Sequence, residues 1–538
     1  MFNMRRRDFL KNSFYTCCGV AITPALLEAG SKSNRYLING DINPNYSETS
    51  LSIDQYKKLC DIAIETAKLN GASYSDIRIC KNRNQRIGTR EEQVQYISDG
   101  DDFGFGVRVL VNGTWGFAAN SVLNEDEVKK ITLKACDIAK ANSILQVSPV
   151  RLADVPSYVD KWKTPVRVNP FDLSINEKID FQLNANKLAK TAGANFVNSF
   201  MWFVNEYKIF ASSVGSFIEQ DLYRLWARTD VTVIDKESGE FDSRETFTQP
   251  IGMGYEYLLD YPYLKDVEEA VEHTKMKLKA PSVTPGKRDI ILHPSNLWLT
   301  IHETCGHPTE LDRALGYEAN YAGTSFMTTD KLNNLKYGSE IVNLYADKNQ
   351  LNGLSSRGYD DDGVKTTEWD IIKNGKFVNY QTTRELAPLV GQNESFACAY
   401  GDSWATFPIQ RMPNLSLRPG KEKLSLSDLI SQTEDGIYII GDSSWSIDMQ
   451  RYNFQFTGQE FWEIKNGKIQ GMLKDVAYQG NTVDLWNACD KICDESEYEL
   501  GGSFFCGKGE PGQVAPVSHG SSPTRFRNIN ILNTKDQI

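Results

Sequence analysis

Two of the chain's five histidines fall inside one hexapeptide, His302-Glu303-Thr304-Cys305-Gly306-His307, with a glutamate directly after the first. Two neutral imidazoles and one off-metal carboxylate are the parts of a hydrolytic zinc site. The imidazoles leave the ion acidic enough to lower the pKa of a bound water, and the carboxylate takes that water's proton before attack on a peptide carbonyl. Glu303 is the candidate base, and His302 and His307 are the candidate ligands. The usual spacing for such a pair is i, i+4, on one helical face. Here the second histidine arrives one residue late, and five steps of about 100° set it roughly 140° around the helix from the first. A structural reading competes, with both rings merely hydrogen-bonded; a zinc held for structure alone would have no need of a carboxylate beside its first ligand.

The local elements decide whether the late histidine still serves. Ser295 reads as the cap of a helix with Leu297, Trp298 and Ile301 on its apolar face, so His302 and Glu303 lie in its last turns. Gly306 loosens that end, and Pro308 disfavours the α region for His307. A terminal π-turn, or an abrupt exit from the helix, lets the fifth residue occupy the place of the fourth. A catalytic zinc takes three protein groups and leaves one position for water, so one more ligand is required. Glu310 and Asp312 are the nearest in sequence.

The wider chain must build that setting. At 538 residues, 40% apolar and 11% aromatic, it is long enough for several packed units. Its formal charge of −11, with no long basic run in the body, argues against nucleic acid or an anionic membrane as partner. Residues 1–29 read as a twin-arginine export segment, with Arg6-Arg7-Asp8-Phe9-Leu10-Lys11 before an apolar run too short for a stable membrane anchor. The expected destination is the periplasm. That route carries folded proteins and suits a chain that acquires its metal inside the cell. The cysteines form no dense disulfide framework, and Cys489 and Cys493 at i, i+4 are either a pair or, more in keeping with their surroundings, small core residues.

An α+β unit is expected over 30–148. It comprises a helix capped by Ser52, strands near 76–80, 94–97 and 105–111, an Asn112-Gly113 hairpin, and a helix from Asn124. A middle α/β unit over 149–284 follows a proline-rich boundary, with a helix near 177–191 and strands through 200–218 and 223–234. Residues 285–538 are strand-rich. There a hairpin phrase occurs twice, Trp369 to Lys376 and Trp462 to Lys468, pointing to a meandering antiparallel sheet that closes into a barrel if its edges meet. The fold class is therefore α+β, with an α/β N-terminal part and a β-rich C-terminal domain. Asp360-Asp361-Asp362-Gly363 lacks the alternation of a calcium loop and reads as a turn. His519 is a candidate substrate contact, or a loop histidine engaged in ordinary hydrogen bonds.

The hexapeptide, followed by Glu310 and by Gly323-Thr324-Ser325-Phe326, resembles the HExxxH signature of the TldD/PmbA family of zinc peptidases, also labelled modulators of DNA gyrase. Gly106 to Ala118, Asp361-Asp362-Gly363-Val364, and Cys506-Gly507-Lys508-Gly509 with Gln513 to Val517 extend the resemblance from about residue 50 to the end. The resemblance implies a β-rich metallo-domain enclosing a catalytic chamber, and zinc on His302, His307 and Cys506 with Glu303 as base. It also implies unfolded or small peptides as substrates, and a homodimer or a heterodimer with an inactive sister subunit. A non-catalytic zinc-containing peptide-binding or scaffolding subunit, and a zinc amidase acting on cell-wall peptides, are the competing readings. The gyrase label finds no support in these residues.

Overall fold

The computed structural model describes residues 51–535, so the expected export segment over 1–29 lies outside the described residues. Helix α1 (Ile53–Leu69) begins at Ser52, whose Oγ accepts from Gln55 N. Strands β1 (Tyr74–Arg90), β2 (Gln93–Val111) and β3 (Thr114–Asn120) follow as a meander, then α2 (Glu125–Asn142), capped by the Asn124 side chain. β4 (Val159–Lys163), α3 (Ile175–Ala192), β5 (Phe196–Ser212), β6 (Phe217–Ile234), β7 (Phe241–Glu245) and α4 (Tyr263–Leu278) complete this part. The strand order is β3-β2-β1-β5-β6-β4, with β7 also on β6. The segments expected as separate units at 30–148 and 149–284 thus contribute to one sheet, with β1 paired to β5 from Asp76 to Arg90. The strands expected at 94–97 and 105–111 are the two ends of β2. The linking residues 98–102, Ser-Asp-Gly-Asp-Asp, are exposed and polar and so carry no apolar alternation that would mark them as strand. The strand expected through 200–218 instead breaks at a turn over 213–216.

Helices α2, α3 and α4 pack on this sheet, and alanines on α3 and α4 bring it close to them. The residues facing the C-terminal part are charged. Lys208 and Arg78 both reach Asp361, at 2.9 and 3.2 Å, and Arg108 reaches Asp362 at 2.8 Å, all with side chains less than a tenth exposed. The aspartate run is a turn, as its composition implies, with Gly363 at φ +74°, and it also fixes the C-terminal part to the sheet.

The C-terminal part contains a closed barrel of five strands. β8 (Gly286–Leu292), β9 (Asp435–Ile447), β10 (Asn453–Lys465), β11 (Val476–Asn481) and β14 (Thr524–Asn533) join in the order β9-β8-β14-β11-β10, and β10 returns to β9. The β8–β9 seam is parallel and the rest antiparallel. The hairpin β12 (Glu499–Lys508) and β13 (Gln513–Ser521) precedes β14. The two repeated phrases are both hairpins with positive φ at Asn374-Gly375 and Asn466-Gly467, as two-residue turns of this type need. They belong to different sheets, so they do not form one meander.

Candidate metal centre

Helix α5 (Pro294–Ile301) leads into the motif and is buried along its whole length. Its cap is His293 rather than Ser295: the imidazole accepts from Ser295 N at 3.1 Å, and Pro294 fills the first helical position, where a missing N–H costs nothing. Asn296 anchors the helix to the barrel, donating to Gly441 O at 2.8 Å and Thr457 O at 2.9 Å while accepting from Tyr478 at 2.8 Å. The α-helix then widens into a π-turn over His302–Gly306, in which His307 N donates to His302 O. This is the geometry that lets a fifth residue stand near the first. His307 itself stays helical, at φ −61° and ψ −44°, despite Pro308; the extended conformation expected there is overridden by the buried turn.

A π-turn at a helix end leaves carbonyls without intrahelical partners. Tyr337 Oη donates to Thr304 O at 3.1 Å, Thr309 Oγ1 to Cys305 O at 2.7 Å, and Gln381 Nε2 to Gly306 O at 2.6 Å. Gly306 is required by contact rather than by φ, since a Cβ there would stand 2.5 Å from Met412 Sδ. Cys305 turns away into the C-terminal core.

His302, His307 and Cys506 each offer a ligand atom, and these atoms lie within 4.8 Å of one another. Cys506 reaches them from β12, where the register slips between Ser503 and Cys506 against β13. Both histidine tautomers follow from their partners. His519 Nδ1 lies 2.7 Å from Leu415 O, which can only accept, so Nδ1 carries the proton and Nε2 keeps a lone pair. His519 Nε2 lies 2.7 Å from His302 Nδ1, which must therefore donate and leave Nε2 of His302 bare. His307 Nδ1 donates to Glu310 at 2.8 Å, which frees its own Nε2 in the same way. Burial holds both imidazoles below their ordinary pKa, hence neutral at neutral pH.

Glu310 and Asp312, the sequence-local rivals for third ligand, stand one layer behind. Glu310 supports His307, while Lys508 bridges Glu310 at 2.9 Å and Asp312 at 2.8 Å. Burial raises the Glu310 carboxyl, yet Lys508 and His307 outweigh it and hold it well below the ordinary range. His519 is fully buried with both ring nitrogens engaged, so it supports His302 and has no nitrogen left for the substrate contact expected of it. Glu303 is paired through Oε2 to Arg451 Nη1 at 2.6 Å. Arg411 lies beside Cys506 and donates to its carbonyl. Neither arginine is visible from sequence, since both arrive from distant turns and strands. All eight cysteines among the described residues are free, and Cys489 and Cys493 sit in two separate core clusters.

Two neutral nitrogens and a thiol, converging in a buried pocket with a carboxylate alongside, are the donor set of a metal-dependent hydrolase, and nitrogen with sulfur suits zinc. Residues 285–533 match the PmbA/TldA metallopeptidase C-terminal domain, and residues 75–139 match PmbA/TldA metallopeptidase domain 1. The chain belongs to this family of metallopeptidases, which also goes by the name TldD/PmbA. A metalloprotease of Methanocaldococcus jannaschii is 29% identical over 476 residues, 88% of this chain and 98% of its own. A zinc metalloprotease TldD homolog of Saccharolobus solfataricus is 25% identical over 475 residues, 87% and 98% of the two chains. The fold is similar to that of TldE from Thermococcus kodakarensis, with a TM-score of 0.68 at 17% identity over 88% of this chain and 99% of that one.

Proposed function

We propose that this metallopeptidase uses zinc, held by His302, His307 and Cys506, to hydrolyse unfolded or small peptides in an enclosed chamber. The observation that carries the reading is the pair of fixed tautomers: Leu415 O through His519, and Glu310, each leave an imidazole Nε2 lone pair free beside the Cys506 thiol. A zinc ion held there supplies Lewis acidity to a water and to the scissile carbonyl. Glu303 accepts the proton of the attacking water and returns it to the departing amine. His302, Glu303, His307 and Cys506 are each no more than 6% exposed, which favours an extended or unfolded chain over a folded substrate.

Glu303→Gln removes the base and no ligand, whereas Cys506→Ser removes a ligand. The first is expected to keep zinc and lose peptide turnover, and the second to lose both. Metal analysis and mass-read cleavage of a mixed peptide library on the same preparations decide it; full turnover by Glu303→Gln overturns the mechanism. We further propose assembly as a dimer, with a like or an inactive subunit, supported by the fold shared with an archaeal TldE. Export to the periplasm by the twin-arginine route is proposed on Arg6, Arg7, Phe9 and Leu10.

A further inference from the structure

Between β9 and β10 the chain reverses over Asp448 to Tyr452, and this turn is clamped on three sides. The Asp448 carboxylate accepts from Gln450 N, Tyr452 N, Asn453 N and Asn453 Nδ2 at 2.7–3.1 Å. Thr482 Oγ1 donates to Arg451 O at 2.9 Å, and Thr482 N donates to Tyr452 O at 2.8 Å. On the third side, Thr324 N and Phe326 N donate to Met449 O and Gln450 O, both at 3.0 Å.

Within this clamp Arg451 adopts φ +65°, a left-handed and strained conformation that a long side chain seldom takes. Such strain persists only where surrounding contacts impose it, and here they aim one guanidinium at one carboxylate. Arg451 Nη1 meets Glu303 Oε2 at 2.6 Å, with the two side chains 16% and 8% exposed. The contact engages Oε2 and leaves Oε1 as the oxygen with room for a proton. Arg451 Nε has no hydrogen-bond partner, so the guanidinium is held by Glu303 and by little else.

We propose that Arg451 is the positioning residue of the general base: the clamped turn presents its guanidinium so that Glu303 is fixed through Oε2, with Oε1 turned to the attacking water. The inference rests on the peptidase reading above. Without that contact the carboxylate is free to rotate among its staggered orientations, and its unpaired oxygen has no fixed direction. The arginine removes that freedom before substrate arrives, which is the kind of preorganisation that lowers a barrier without adding a ligand.

The test uses the full chain loaded with zinc, with wild type and Glu303→Gln as controls. Arg451→Ala is expected to lower kcat at least tenfold with KM nearly unchanged and zinc content intact, and Arg451→Lys is expected to restore part of kcat. In the Glu303→Gln background, Arg451→Ala should cost no further activity. A second readout needs no metal: thermal unfolding of the metal-free single and double variants should give a non-additive Arg451–Glu303 cycle. A raised KM at unchanged kcat, or an additive cycle, overturns the proposal. Turnover that survives in Glu303→Gln overturns instead the peptidase reading on which it rests, so the two failures are distinguishable.

Discussion

His519→Leu is the sharpest perturbation of the site that leaves every candidate ligand in place. The substitution keeps an apolar side chain of useful size against Trp298, whose ring stacks on His519 at 6.4 Å, and deletes both ring nitrogens. His302 Nδ1 then loses its acceptor and Leu415 O loses its donor, each in a fully buried setting. One orphaned buried polar group costs about 1–3 kcal/mol, and the metal-free protein is expected to lose stability on that scale. For the metal the loss is more specific. Nothing then selects the tautomer with a bare Nε2, and nothing fixes the rotation of the ring. Removing a group that supports a metal-bound histidine commonly weakens binding about 10–100-fold, which is ~1.4–2.8 kcal/mol. Competition against a chromophoric chelator gives the zinc affinity, and chemical denaturation of the metal-free protein gives the stability. His519→Gln, which offers one acceptor and one donor, should recover most of the affinity. Unchanged zinc affinity in a cooperatively folding His519→Leu protein refutes the tautomer argument.

Two further outcomes follow from other parts of the molecule. Glu206 is buried between Lys208 at 3.0 Å and Arg224 at 2.8 Å; burial raises its carboxyl, but Lys208 and Arg224 outweigh this and lower it well below the ordinary value. A depressed carboxylate stabilises the fold above its unfolded pKa of about 4.3, and that contribution is lost as the pH falls toward the folded value. Glu206→Gln should therefore be destabilised by about 3–5 kcal/mol at neutral pH, with the gap to wild type closing in acid; a gap that stays constant in denaturation curves across that range contradicts the assignment. For export, replacing Arg6 and Arg7 by lysine should leave the precursor in the cytoplasm, and unchanged processing and location in fractionated cells rule the route out.

How much of the site is legible in the sequence depends on how far apart the cooperating residues lie. The hexapeptide announces two candidate ligands and a candidate base because all three are neighbours, and its late histidine asks for the π-turn that the helix makes. Glu310 stands out by proximity as a rival ligand, yet its carboxylate, three residues beyond His307, reaches that ring's Nδ1, which makes it a support for the ligand instead. The role of His519 is beyond local reading, because it depends on the carbonyl of Leu415, brought alongside only when β13 folds back. Cys506 comes from family resemblance and not from spacing. Arg451 gives no signal at all: an arginine in an Asp448-to-Asn453 turn looks like any solvated loop charge until the barrel closes and Thr482 and Thr324 pin it over Glu303. The same division holds for the fold. Asn-Gly turns and capped helices are short-range features that their own residues dictate, whereas the union of two expected domains in one sheet, and the pairing of Asp361 with Lys208 and Arg78, are long-range charge and register choices. A local pattern therefore suffices to propose the chemistry here, but the residues that hold its parts in tautomer, rotamer and register are supplied by distant segments, and those are the positions where substitution tests the reading most directly.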